Sequence, residues 1–217
     1  TVSNTCSSPS GECMPVGDIS GWHQVFSDDF TTNVPLGGFS GCNYTGNYLT
    51  STCSGLPSSV SSKWFAYPDG WQDTSKNGVY TQSQVLSHDH GVMNLNMHTS
   101  NGTHMVSEPV PKIPGATGKE GGLLYGRYTV RFKADSAAGF KTAFLLWPDS
   151  ETWPQDGEID CPEGNLNGAI SAFLHHMNGT SSSDQDAYSS TSTYTSWHTA
   201  TIEWTASSVK FILDGTV

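Results

Sequence analysis

Short runs of apolar and alternating residues recur along this chain, each stopped by Gly, Pro, Asn or Ser, a rhythm that strands joined by turns produce and long helices do not. The runs fall at residues 22–30, 78–86, 91–98, 123–133, 141–147, 157–163, 169–176, 198–204 and 209–213. Within 128–133, Tyr128, Val130 and Phe132 share one face by period-2 alternation, and that face is expected to be core. Only 13% of the residues are charged, while Gly, Ser, Thr and Asn are abundant, which also disfavours long helices. A length of 217 residues suits one all-β unit, so a single two-sheet antiparallel β-sandwich over 1–217 is predicted, with an irregular arm at 1–20. The Pro/Gly/Ser/Asn-rich stretches 33–70 and 100–121 are too long for hairpins and are predicted to be ordered surface loops beside a cleft.

The formal net charge of −11 opposes a phosphate backbone, so nucleic acid is not an expected partner. No run reaches the roughly 20 apolar residues that span a bilayer, and the chain begins without a charged and then apolar leader, so a mature secreted form acting as a monomer is expected. Asn43, Asn101 and Asn178 each begin an Asn-X-Thr glycosylation sequon, which fits secretion and surface loops alike. Five cysteines are present. Cys6 with Cys13, and Cys42 with Cys53, bracket short polar stretches and are paired here as two local disulfides. Cys161 is left over, and a small buried hydrophobe is its expected role. No CxxC-type metal spacing occurs.

The densest chemistry lies in Glu158-Ile-Asp-Cys-Pro-Glu163. On a strand, Glu158 and Asp160 share one face and Glu163 falls on the other. A bulge restores the facing, and Pro162, which has no N–H to donate, stands where a bulge would tolerate it. Three acids on one concave face suit sugar cleavage with retention. One carboxylate attacks the anomeric carbon, a second carboxyl about 5–5.5 Å away protonates the departing oxygen, and a middle acid apportions protons. An exposed acidic turn or an oxygen-donor Ca²⁺ site is the plainer explanation of three acids in six residues. Trp147 and Trp153 just upstream, and flanking Gly157 and Gly164, tip the balance, since sugar faces stack on aromatic rings. Trp22, Trp64, Trp71, Trp197 and Trp204 could add platforms, although a given tryptophan is more often packing. His175 and His176 follow on the next run, where alternation could put one imidazole in the cleft to bind substrate, against a reading as a packed, hydrogen-bonded histidine.

These residues resemble glycoside hydrolase family 16, the laminarinase, lichenase and agarase group with a concanavalin-like β-jelly roll. Gly157-Glu-Ile-Asp-Cys-Pro-Glu163 is similar to its ExDxxE signature, with Cys161-Pro162 in place of two apolar residues. Gln24-Val-Phe-Ser-Asp-Asp-Phe30 resembles the opening "VWSDEF" strand, and Gly126-Arg-Tyr-Thr-Val-Arg-Phe-Lys133 resembles "GRFEARIK". Ala143-Phe-Leu-Leu-Trp147, Trp197-His-Thr-Ala-Thr-Ile-Glu-Trp204 and Lys210-Phe-Ile-Leu-Asp-Gly215 follow in family order. The resemblance implies Glu158 as nucleophile, Asp160 as its helper, Glu163 as acid/base, and a β-1,3- or β-1,3/1,4-glucan as substrate. A zinc site at His175 and His176 would need further ligands at suitable spacing, none of which is evident, so no metal or other cofactor is expected for catalysis. Relatives carry a structural Ca²⁺, for which Asp28 and Asp29 are the local candidates, against a reading as solvated turn acids. The family pattern also runs on into further strands that complete the sheet, so either such strands are missing after residue 217 or another element takes their place.

Two other functions fit the same sandwich. A non-catalytic carbohydrate-binding protein would use the aromatic platforms but leave the acids idle. A polysaccharide lyase acting on a uronan would need a base, for which Tyr125, Tyr128, His175 and His176 are available. Arg127, Arg131, Lys133 and Lys141 could pair with acids or bind an anionic sugar, with strand-surface charges as the default reading.

Overall fold

The computed structural model describes residues 6–217, so residues 1–5 of the expected N-terminal arm lie outside the described part. The chain forms two compact units, Thr1–Gly121 and Gly122–Val217. The regular structure of both is strand, short and joined by long turns in the first unit, and among the described residues helix is limited to two four-residue turns.

The first unit carries β1 (Gly41–Asn43), β2 (Thr52–Ser54), α1 (Ser58–Ser61), β3 (Trp64–Ala66), β4 (Gly78–Tyr80), α2 (Gln82–Val85), β5 (Leu86–Asp89), β6 (Val92–Leu95), β7 (His98–Ser100), β8 (Thr103–Val106) and β9 (Pro109–Pro111). They pair as small sheets, β1-β2, β3-β9, β4-β8-β7 and β5-β6. Val34, Phe39, Tyr48, Val60, Trp64, Phe65 and Leu86 bury one contiguous core. The stretch 33–70, predicted as surface loop, therefore supplies most of this core. Its apolar residues are spread too thinly among Gly and Ser to show a period, but most of them are buried, Leu36 being an exposed exception. The stretch 100–121 likewise is not all loop, because β8 and β9 lie in it and β9 pairs with β3. The run 78–86 divides into β4, α2 and the start of β5, and 91–98 into β6 and the start of β7.

No strand forms over 22–30, where only an isolated bridge joins Ile19 and Trp22. Phe30 takes a positive φ of 54°, which breaks extension. The apolar residues there are anchors instead. The Phe26 and Phe30 rings lie 5.7 and 5.8 Å from that of Trp64. Asp28 fixes the bend by accepting from Phe30 N at 2.8 Å and from Trp64 Nε1 at 2.7 Å. That makes Asp28 a bonded structural acid, not a solvated one. Asp29 accepts from Met14 N at 3.4 Å.

The second unit carries β10 (Gly126–Phe132), β11 (Lys141–Leu146), β12 (Glu158–Asn165), β13 (Ala169–His175), β14 (Gln185–Thr193), β15 (His198–Trp204) and β16 (Val209–Leu213). They form two antiparallel sheets, β10-β15-β16 and β11-β12-β13-β14. Strand β14 has no counterpart among the predicted runs. Its sequence is mostly hydroxyl-bearing and its burial low, so it pairs through backbone without an apolar stripe. Phe132 is buried as expected, while Tyr128 and Val130 are half-buried.

Both expected disulfides are formed, Cys6–Cys13 and Cys42–Cys53, and the second bridges register partners of β1 and β2. Cys161 is free and buried. Asn43, Asn101 and Asn178 are all exposed. Among the described residues no helix is long and apolar enough to cross a membrane.

Candidate active site

The acidic run lies on β12, between β11 and β13. Register decides which way its side chains face. Asp160 is opposite Phe173 and Glu163 opposite Ser171, so three steps along β12 match two along β13. The same shift recurs on the other side, where Leu145 faces Asp160 and Ala143 faces Glu163. One extra residue is thus inserted at Cys161-Pro162, whose peptide bond is cis. Directly paired residues of antiparallel strands point to the same face. Glu158, Asp160 and Glu163 therefore share a face with His175, Phe173 and Ser171, as the bulge predicted from Pro162 requires. The opposite face buries Ile159, Cys161, Ile170 and Ala172.

The three acids meet different surroundings. Asp160 is 1% exposed, and neither of its oxygens has a hydrogen-bond partner among the described residues. Burial, and secondarily the adjacent Glu158 carboxylate and Glu163, push its carboxyl up to about 9, while Lys141 opposes the shift. Burial thus favours the neutral, protonated form of Asp160. Glu158 keeps a narrow opening to solvent, its side chain 11% exposed. Glu163 is bound by Lys141, with Nζ 2.6 Å from Oε1. A cleft of about 360 Å³ opens at this end, lined by Lys141, Glu163, Asn165, Ser171, Phe173 and Ser189.

His175 and the tryptophans complete the other end. His175 Nε2 lies 3.4 Å from Asp160 Oδ2 and 3.7 Å from Glu158 Oε2. The Trp153 ring meets the His175 ring edge-on at 5.4 Å and stacks with Trp147 at 6.4 Å, 11° from parallel. Trp147 is 40% exposed, so the aromatic pair runs from solvent to the acids. His176 does not join them. It follows His175 by one residue and turns away, with Nε2 3.2 Å from Asp186. Trp64 is a packing residue, its indole N–H held by Asp28.

For Lys141, pairing with an acid was the alternative to a plain surface charge, and that alternative is the one formed, while Phe173 was not singled out. The parity of Lys141 with Trp147 along one run was the available signal. The other cations do behave as strand-surface charges: Arg127 pairs with Glu203 at 3.0 Å, and Arg131 and Lys133 lie over the Trp197 ring at 5.8 and 5.7 Å. Tyr128 donates its hydroxyl to the Tyr125 carbonyl at 2.8 Å, and burial raises its pKa, so it is not poised as the base a lyase needs.

The fold is almost wholly β, with three acids gathered on one strand face, and the comparisons place it in a family. The family model described as glycosyl hydrolases family 16 matches residues 72–217, and the chain belongs to that family. No curated protein matches it in sequence. Among solved structures it is similar to a laminarinase from Flavobacterium sp. UMI-01, at 19% identity and a TM-score of 0.53, covering 70% of this chain and 68% of that one. It is similar also to a non-specific endo-β-1,3(4)-glucanase from family 16, at 17% identity and a TM-score of 0.55, covering 85% and 76%. A third likeness is to LamA from Z. galactanivorans in complex with laminaritriose and laminaritetraose, at 20% identity and a TM-score of 0.55, covering 88% and 77%. These likenesses establish the jelly-roll fold.

Proposed function

We propose that the protein is a secreted, retaining endo-β-glycanase that cleaves a β-1,3- or β-1,3/1,4-glucan by double displacement. The reading rests on one observation, the bulge at Cys161-Pro162 that turns Glu158, Asp160 and Glu163 to one face of β12. In the first step Glu158 attacks the anomeric carbon while Glu163 gives its proton to the departing oxygen. In the second, Glu163 takes a proton from water, and that water releases the sugar from Glu158. Asp160, whose protonated form burial favours, lies beside Glu158 and helps to balance the charge as Glu158 becomes an ester. Lys141 must leave Glu163 when that carboxyl carries a proton, since a neutral acid forms no ion pair. Trp147 and Trp153 offer flat surfaces for sugar rings beside the acids, and His175 orients the Glu158–Asp160 pair.

The glucan assignment is supported by the printed names of similar structures, which include a laminarinase and an endo-β-1,3(4)-glucanase. Two disulfides and three exposed sequons support secretion. The test is hydrolysis of a panel of β-glucans by the Glu158→Gln and Glu163→Gln variants. Each is expected to lose about three or more orders of magnitude in kcat. Either variant hydrolysing at the parent rate would falsify its role.

A further inference from the structure

We infer that Glu158, Asp160 and His175 form a binding site for one divalent transition-metal ion of the zinc class, and that the ion shuts the site off instead of operating it. The three residues each present a donor atom, all within 4.8 Å of one another. His175 Nε2 stands 3.4 Å from Asp160 Oδ2 and 3.7 Å from Glu158 Oε2. A tetrahedral ion holding nitrogen and oxygen at about 2.0–2.1 Å sets its ligands about 3.3–3.4 Å apart, so the two distances from His175 fit to within tenths of an ångström, and the Glu158 and Asp160 donors, within 4.8 Å of each other, have to draw together to complete the shell. A second observation points the same way. Asp160 is 1% exposed, neither of its oxygens accepts a well-formed hydrogen bond, and its Oδ2 faces the His175 imidazole.

The donor chemistry selects the metal. One imidazole with two carboxylates suits zinc, nickel, cobalt or copper, whereas magnesium and calcium ask for six or more oxygens. The charges close: two carboxylates balance a divalent ion, His175 binds through Nε2 with its proton on Nδ1, and any proton on Asp160 leaves to solvent. Three protein ligands leave a fourth position for water. The ion would occupy the Glu158 oxygen that must attack the sugar, so metal and substrate exclude each other. That consequence rests on the proposed hydrolytic role; the binding site itself does not.

The test is calorimetric titration of the full chain, stripped with a chelator, with zinc chloride at pH 7. One ion per chain is expected for the parent and for Glu163→Gln, which keeps all three donors. His175→Gln should bind at least about tenfold more weakly. Magnesium and calcium chloride should give no heat at the same concentrations. If His175→Gln does not fold, X-ray absorption at the zinc edge of the parent decides, with one imidazole nitrogen and carboxylate oxygens expected. No stoichiometric binding, equal binding by a folded His175→Gln, or a shell without the imidazole overturns the inference. A parent that binds zinc yet cleaves no glycan, even after chelation, counts against the hydrolytic reading and leaves the metal site standing. Where hydrolysis is present, zinc should inhibit it competitively and EDTA should restore it.

Discussion

Asp160 and Glu163 lie three residues apart on β12, yet their partners on β13, Phe173 and Ser171, are only two apart. That mismatch of one residue turns a strand that would divide its acids between two faces into one that collects them. It also leaves the acids in unequal solvent environments, and unequal environments let like carboxyl groups take different protonation states.

The buried Asp160 should make stability depend on pH. Its folded pKa of about 9 is above the ordinary 3.8, so the folded state binds the proton more tightly than the unfolded state. The stability linked to this proton is fully present below about pH 4 and is lost as pH rises through 9. The melting temperature should therefore fall between pH 7 and 9, and Asp160→Asn, which cannot titrate, should flatten that slope. Thermal melts by circular dichroism across this range check it, and an unchanged slope in the variant contradicts it.

The stacked pair Trp147 and Trp153 should separate binding from chemistry. Trp147 is the exposed partner, so Trp147→Ala should raise KM about three- to tenfold while kcat changes less. Trp153 also contacts His175, so Trp153→Ala should lower kcat as well. Initial rates on a soluble β-glucan distinguish the two.

Gly164 directly follows Glu163 at a φ of 153°, and a Cβ there would stand 2.7 Å from the Ala169 carbonyl oxygen. Backbone does not yield cheaply, so Gly164→Ala should cost about 1–3 kcal/mol and displace Glu163. Denaturant unfolding measures the first effect. A lower kcat in the folded variant reports the second.

The site was more legible in the sequence than the framework of the first unit. Pro162 inside an acidic strand is a local signal, because a residue without an N–H fits only where the ladder is interrupted. Strands β15 and β16 were also readable to the residue, since their apolar residues are dense. Strand β14 was not, because Ser and Thr carry no stripe to read. The core built by Phe39, Tyr48, Val60 and Phe65 was hidden for the opposite reason, being assembled from isolated apolar residues brought together by distant pairings. The Lys141–Glu163 pair and the contact of His175 with both Glu158 and Asp160 depend on cross-strand register, which no single run encodes.

Proton NMR of the first sugar released by the parent protein from a β-glucan probes the shared face of Glu158 and Glu163 directly. With those two carboxyls acting in succession on one anomeric carbon, the β-anomer should appear first and the α-anomer only later, by mutarotation. First appearance of the α-anomer would mean that water attacks without a glycosyl-enzyme, and the roles assigned to the two residues would be wrong.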